Sequence, residues 1–432
     1  MLLIEKVAWA VATVFLFSSG MYFTFKLKGV QFKFKEMLKG FTKKDDNLGI
    51  TPFESLAISL GGRIGVGNLA GVALAIHYGG VGSIFWMSIS TIICLTNAFS
   101  ESVLGVLYRK KTKKEYVGGP SHYIKYGMKK KKLSLIYAIL LIFTYIVGFL
   151  TVQSNTIVKS VTKVYTIKPI VISFVVALLT IIIILKGLKG VAKFSTKIVP
   201  LMTIGYVLTC LYIVLSNIGT MPQVVKLIIN EAFNPTSAAT GILVPMIIGF
   251  QRGTFSNESG IGTGAIAAAA TNTDSPSKQG FVQMFSIYIE TLVVCNLTAF
   301  VIMLSNYNDI SWQNINGIEI TQEAFTYHLG NAGNYVVMFS ILLFAFSSII
   351  TGYYYGESNL KGIFKNLGKN GMFIFRMLVV LILFAGGIIS SKIIWSIADI
   401  FIVFLAIINV YAIVSLKKDV FREYKLHRLK NK

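Results

Sequence analysis

The chain has 432 residues, of which 54% are hydrophobic, a mean hydropathy of +0.68 and a formal net charge of +23. So apolar a composition excludes an ordinary soluble domain, and many apolar runs reach the ~20 residues that span a bilayer. The charge does not point to nucleic acid, because the basic residues sit in short connections between apolar runs, where the positive-inside rule puts them.

Apolar run length predicts about eleven transmembrane helices, near 7–27, 51–80, 82–107, 134–155, 169–186, 197–217, 236–270, 279–305, 334–358, 371–390 and 393–416. The first run, Val7 to Leu27, is long enough to remain as a span rather than a cleaved signal. The connection after it carries Lys28, Lys33, Lys35, Lys39, Lys43 and Lys44, and the 108–133 connection carries Arg109, Lys110, Lys111, Lys113, Lys114, Lys125 and Lys129 to Lys132. The 186–197 and 359–370 connections and the C-terminal tail are also basic, whereas the 306–333 loop holds Asp309, Glu319 and Glu323 with no Lys or Arg. One orientation satisfies this alternation, with the N-terminus outside and the C-terminus in the cytoplasm. The lipid bilayer is therefore one expected partner.

Two of the apolar runs are interrupted at their middle. Residues 51–80 contain Gly61-Gly62-Arg63-Ile64-Gly65-Val66-Gly67-Asn68, and residues 236–270 contain Gly249-Phe250-Gln251-Arg252-Gly253-Thr254-Phe255-Ser256-Asn257-Glu258-Ser259-Gly260-Ile261-Gly262. Charges and helix breakers at bilayer depth survive only inside protein or along a cavity. Setting aside the first span, residues 51–217 and 218–416 form two sets of opposite topology, each opening on a broken helix. That is the inverted-repeat plan of secondary transporters, with 1–50 as an extra helix and basic loop and 417–432 as a basic tail.

Half-helices beginning near Asn68 and at Ile261 present free N–H groups, suited to a carboxylate. The half-helices before them, about 51–62 and 236–249, end in free carbonyls, suited to an ammonium group or Na⁺. Ser347, Ser348 and Thr351 in the 334–358 span offer hydroxyl oxygens to a small hard cation beside the first break. Helix–helix or i−4 hydrogen bonding is the alternative reading of the same hydroxyls. Ionisable residues in or near spans are Glu54, Arg63, Glu101, Arg252, Glu258, Glu290, Glu357, Arg376 and Asp399. Arg63, Arg252, Asn257 and Glu258 lie in the breaks, where gate or scaffold ion pairs are expected, with proton or cation coupling as the alternative. Gln153 and Asn155 either reach the same cavity or sit near the outer interface, and Tyr353-Tyr354-Tyr355 is expected at headgroup level.

Cys94, Cys210 and Cys295 lie in apolar runs without metal spacing and read as packing residues. The chain shows no HExxH, no Cys/His metal site and no GxxxxGK[ST] loop, so neither an embedded metalloenzyme nor an ATP-driven pump is expected. A channel is disfavoured because two asymmetric broken helices in one chain suit occlusion within a single protomer rather than a shared axial filter.

The stretches Arg63 to Val72, Gly118-Gly119-Pro120 with Tyr123-Ile124, Phe255 to Gly260 with Ala267 to Ala270, Asp274 with Gln279-Gly280 and Gln283-Met284, Phe344 to Ser347 and Tyr353 to Glu357 resemble the alanine or glycine:cation symporter family. The resemblance covers the chain from about residue 50 onward. It implies an all-α LeuT-like fold and symport of a small neutral amino acid driven by Na⁺, or by H⁺ in some members. The expected substrate contacts are Gly65, Val66, Gly67, Asn68, Gly253, Thr254, Phe255, Ser256 and Gly352, and the expected Na⁺ contacts are Gly65, Ser347, Ser348 and Thr351. Three positions depart from the family's common residues: Val66 in place of Thr, Ala265 in place of Pro and Gly352 in place of Trp. The last predicts an enlarged pocket and a bulkier neutral substrate such as glutamine.

Overall fold

The computed structural model describes residues 3–41, 49–112, 115–233, 241–305, 317–364 and 368–430. The loop residues Lys43, Lys44, Lys113, Lys114 and Asp309, and the start of the run at 236, lie outside the described residues.

Local sequence explains where the first broken helix begins. Thr51 accepts the Glu54 N–H at 3.1 Å, the Glu54 carboxylate accepts the Thr51 N–H at 2.7 Å, and Pro52 supplies the first helical turn. Glu54 is thus a cap. The helix α3 (Pro52–Arg63) stops where Ile64 turns to extended backbone, and α4 (Gly67–Gly79) restarts with a π-helical turn over Gly67–Gly71, bent by 51° from α3. Before these come α1 (Leu3–Lys26) and the short α2 (Phe34–Lys39).

The next elements are α5 (Ser83–Leu107), a two-stranded hairpin Lys110–Lys111 with Tyr116–Val117, α6 (Lys131–Val164), α7 (Pro169–Ile184), α8 (Gly187–Ser216) and α9 (Met221–Phe233). Helix α6 carries a π-helical stretch at Thr144–Phe149.

The second broken helix differs from expectation. Helix α10 (Leu243–Asn257) runs unbroken through Gly249 and Gly253. Those glycines serve close packing: a Cβ at Gly249 would lie 2.6 Å from the Ser83 carbonyl, and one at Gly253 would lie 3.2 Å from Met87 Cγ, both on α5. The break falls at 258–263, where Glu258 (φ 56°), Gly260 (φ 82°) and Gly262 (φ 100°) adopt left-handed backbone. The following helix, α11 (Gly264–Ala269), is shorter than the expected half-helix from Ile261 to Ala270.

The chain continues through α12 (Pro276–Leu304), α13 (Gly317–Leu329), α14 (Asn331–Ile363), α15 (Lys369–Gly386), α16 (Ser391–Ser415) and α17 (Lys417–Lys430). Among the described residues, eight helices are long and apolar enough to cross a membrane, and the bent α3–α4 pair makes a ninth. Helix α5 is the hub, packing against α1, α10, α11 and α12. A parallel bridge joins Ile50, just before α3, to Thr271, just after α11, through Ile50 N–H to the Ala270 carbonyl (3.1 Å) and Asn272 N–H to the Ile50 carbonyl (2.7 Å). The entrance to one broken helix is thereby fastened to the exit of the other.

Tyr353, Tyr354 and Tyr355 do not face outward as an aromatic belt would. They are buried, because α14 runs on to Ile363, and Arg376 Nε donates to the Tyr353 hydroxyl at 3.0 Å. The three cysteines are buried and free, and no group of three or more metal-ligating side chains occurs among the described residues.

Candidate functional site

Helix α3 ends inside the protein, so its last carbonyls need partners other than water. Helix α14 supplies them. Ser347 Oγ lies 3.0 Å from the Gly61 carbonyl, Ser348 Oγ lies 3.1, 3.0 and 3.4 Å from the Gly61, Gly62 and Ile64 carbonyls, and Thr351 Oγ1 lies 3.3 Å from the Ile58 carbonyl. The three hydroxyls are buried. Oxygen atoms from a helix end and a facing helix make a donor set suited to a hard monovalent cation. Gly65 lies beside them, so close that a Cβ there would clash with Ser348 Oγ; its N–H donates to Asn68 Oδ1 at 2.8 Å and its carbonyl accepts the Asn68 N–H at 3.3 Å.

The N–H groups at the restart of the first broken helix are partly engaged. Val66 N–H donates to Gln153 Oε1 at 3.1 Å, so Gln153 does reach the break. Asn155 turns away, donating to the Gly386 and Ile389 carbonyls at 3.2 and 2.7 Å. Gly67 meets α10 so closely that a Cβ there would lie 2.9 Å from Ser256 Cα. Val66 replaces an expected hydroxyl with a buried isopropyl group, which leaves these backbone contacts in place.

Asn68 and Ser256 converge on a residue that sequence reasoning placed only among the ionisable side chains. Glu290, in a π-helical stretch Tyr288–Cys295 of α12, accepts from Asn68 Nδ2 at 2.8 Å and from the hydroxyls of Ser256 and Thr291. Cys295 Sγ is 3.4 Å from the same carboxylate. One buried carboxylate thus joins the first break, α10 and α12. The available signal was an acid in an otherwise apolar run.

On the opposite side of α10, Phe255 stacks on Phe149 (centroids 4.6 Å, 8°), Phe149 stacks on Tyr145 (4.7 Å, 12°), and Trp395 lies against the other face of Phe255 at 4.6 Å. The Arg252 guanidinium sits 5.0 Å over Trp395 and forms a buried ion pair with Asp399. Gly253 and Thr254 are helical. The Thr254 carbonyl accepts the Glu258 N–H at 3.0 Å, so the free carbonyls of α10 begin at Phe255, later than expected.

The remaining break residues also have partners. Asn257 holds the turn, with Oδ1 accepting from Ser259 N–H (2.9 Å) and Ser259 Oγ (2.7 Å) and Nδ2 donating to Thr91 (3.0 Å). Glu258 accepts from Tyr145 (2.6 Å) and Thr263 (2.8 Å), and does not pair with Arg252. Arg63 forms no ion pair among the described residues. Its Nη1 donates to Gln283 Oε1 at 3.0 Å, while Nε and Nη2 have no partner.

The enlarged pocket expected at Gly352 is closed in this conformation. A Cβ at Gly352 would lie 2.8 Å from Leu150 Cδ1 and 3.2 Å from Tyr145 Cδ1, so neighbouring side chains fill the volume that a larger residue would take.

The Sodium:alanine symporter family model matches residues 1–432. The chain is 35% identical to the amino-acid carrier protein AlsT of Bacillus subtilis, covering 96% of this chain and 89% of that one. It is also 35% identical to the probable sodium/glutamine symporter GlnT of the same organism (95% and 86% covered) and 32% identical to the sodium/alanine symporter AgcS of Methanococcus maripaludis (95% and 93% covered). A solved structure of a Na⁺-coupled sialic acid symporter aligns with a TM-score of 0.52 at 14% identity, over 96% of this chain and 82% of that one, which supports a transporter fold. The chain belongs to the sodium:alanine symporter family and is a transporter, not an enzyme.

Proposed function

We propose that the protein carries a neutral amino acid into the cell together with Na⁺. The observation that carries this reading is the convergence of Ser347 and Ser348 on the free carbonyls of Gly61, Gly62 and Ile64 at the first break, with Thr351 one turn away on the Ile58 carbonyl. In this reading Na⁺ takes those oxygens, and the amino-acid carboxylate takes the N–H groups at Gly67 and Asn68 once Ser256 withdraws from Gly67. The ammonium group meets the carbonyls at the end of α10, and Phe255 with its aromatic stack closes over the side chain. Residues 51–217 and 218–416 act as inverted halves that rock about this site, with the N-terminus outside and the C-terminus cytoplasmic. Coupling follows if Na⁺ binds the outward-facing state better than the inward-facing one.

The names of the relatives support an amino acid as cargo, alanine for one and glutamine for another. The closed surface at Gly352 favours the smaller side chain. The test is uptake of radiolabelled alanine, glycine and glutamine into proteoliposomes, under an inward Na⁺ gradient and under a matched K⁺ gradient. Na⁺-dependent uptake of any of the three supports symport, and its absence for all three sinks it. A second reading, coupling to H⁺, is favoured by the buried carboxylates Glu101, Glu258 and Glu290 around the first break and Arg63. An inward pH gradient that drives uptake without Na⁺ would select it.

A further inference from the structure

Helix α1 ends at Lys26 and helix α16 ends at Ser415, and α17 folds back beside the end of α1. The ends of two helices apolar enough to span are therefore followed by basic segments that meet, as chain leaving a bilayer into the headgroup region would be. A trough with two lobes opens there. One lobe, about 280 Å³, is lined by Lys26, Lys28, Phe421, Lys425, Arg428 and Leu429. The other, about 630 Å³, is lined by Phe32, Lys33, Phe34, Lys35, Tyr424 and His427. Tyr424 and Arg428 line both.

Three observations separate this place from an ordinary basic loop. Lys26, Lys28, Lys425 and Arg428 surround one cavity, and among the described residues none of them pairs with a carboxylate, although Lys39, Lys163, Lys278, Lys361 and Arg422 each do. The acid at the second lobe, Glu36, is already taken by His427 at 3.0 Å and by Lys39 at 3.5 Å. Lys28 holds left-handed backbone (φ 53°) beside Gly29 (φ 64°), an unfavourable conformation for a residue with a side chain, and it turns the chain at the rim. Apolar groups stand next to the charges: Phe25, Phe32 and Phe34 are 72%, 58% and 52% exposed, and Leu429 is 60% exposed. Clustered cations call for a phosphate, and adjoining exposed aromatic and aliphatic side chains call for acyl chains.

We propose that this trough is a binding site for a phospholipid with an anionic headgroup. The phosphodiester sits among Lys26, Lys28, Lys425 and Arg428, and the acyl chains run along Phe25, Phe32 and Phe34. The bound lipid clamps α17 to α1. The inference does not depend on which solute is carried.

The test is lipid retention by the full-length protein in detergent, read by native mass spectrometry after equimolar addition of phosphatidylglycerol or phosphatidylcholine. Phosphatidylglycerol should be retained preferentially. The triple substitution Lys28→Gln/Lys425→Gln/Arg428→Gln should remove that preference, at roughly fivefold weaker retention per cation lost. The single substitutions, read separately, should each show a partial loss, which covers the case in which the triple variant does not fold. The control Lys186→Gln/Lys189→Gln/Lys193→Gln, in another basic connection, should retain the preference. Equal retention of both lipids, equal loss in the control, or full displacement by millimolar inorganic phosphate would overturn the proposal.

Discussion

Asn68 Nδ2 donates to Glu290 Oε1 at 2.8 Å, and that single hydrogen bond ties the restart of the first broken helix to a carboxylate on α12. Ser256 of α10 donates to the same oxygen. Any movement of α10 relative to the first break must break or remake these contacts. Glu290→Gln keeps the shape but offers an amide to a site already crowded with donors. Losing a buried hydrogen bond to a charged group costs about 1.5–3 kcal/mol, so uptake should fall roughly tenfold to a hundredfold. Undiminished proteoliposome uptake by this variant would remove Glu290 from the transport cycle.

Ser348 is within hydrogen-bond distance of three carbonyls at the first break. Ser348→Ala removes one oxygen from the proposed cation site and leaves the cargo contacts alone. The Na⁺ concentration for half-maximal uptake should rise about tenfold, the equivalent of about 1.4 kcal/mol, with a smaller change in maximal rate. An unchanged Na⁺ activation curve would refute the assignment.

Arg252 and Asp399 form the buried ion pair that joins α10 to α16. Removing one partner strands the other charge, so Arg252→Gln and Asp399→Asn should each destabilise the protein by about 3–5 kcal/mol. The double substitution strands neither charge and should recover part of that loss. Thermal unfolding of the four proteins in detergent measures the coupling, and strictly additive losses would show that the pair contributes none.

A Cβ at Gly352 would lie 2.8 Å from Leu150 Cδ1, the end of a flexible side chain, and 3.2 Å from Tyr145 Cδ1, so a methyl fits if Leu150 shifts and a larger side chain does not. Gly352→Leu should therefore overpack the interface and destabilise it by about 1–3 kcal/mol. A melting midpoint equal to or above that of the unsubstituted protein would mean that a cavity does exist there, and would restore the case for a bulky substrate.

Glu36 and His427 hold α17 against α2. Burial raises the Glu36 carboxyl, but the His427 hydrogen bond and the Lys39 and His427 charges outweigh it, and the group stays below its ordinary 4.5. A carboxyl held low in the docked state stabilises docking above that value and loses the contribution as pH falls through the lowered one. Hydrogen-exchange protection of Lys417–Lys430 should therefore decline below about pH 4.5, corrected for intrinsic exchange. Glu36→Gln should show reduced protection already at neutral pH. Equal protection in both proteins at neutral pH would dismiss the contact as a tether.

Run length located the apolar helices along the chain, because spanning a bilayer requires a fixed length of apolar chain. Against about eleven expected spans, eight helices, or nine with the bent pair, are long and apolar enough among the described residues, and Pro169–Ile184 is shorter. Run length is a local signal and survives any tertiary arrangement. The first break was legible in part: the glycines between Gly61 and Gly67 weaken a helix, and α3 does end at Arg63, although Gly67 and Asn68 already belong to the restarted helix. Arg252 and Glu258 also announced protein surroundings simply by being charged. Their partners, Asp399 and Tyr145, are far along the chain, and only the folded packing selects them.

The second break shows the limit most clearly. Gly249 and Gly253 look like helix breakers in sequence, yet they are packing surfaces against α5, and the turn forms later at Glu258, Gly260 and Gly262. A glycine permits both a left-handed turn and a close helix contact, and only the neighbouring helix decides which. The same holds for Gly352, where Leu150 and Tyr145 occupy the space that composition alone left open. Sequence determined which segments are apolar, where their charges fall and that the chain carries interrupted helices. Tertiary structure decided which oxygens face one another, which acid receives Asn68 and Ser256, and which side chains close the pocket, because those outcomes depend on contacts between residues hundreds of positions apart.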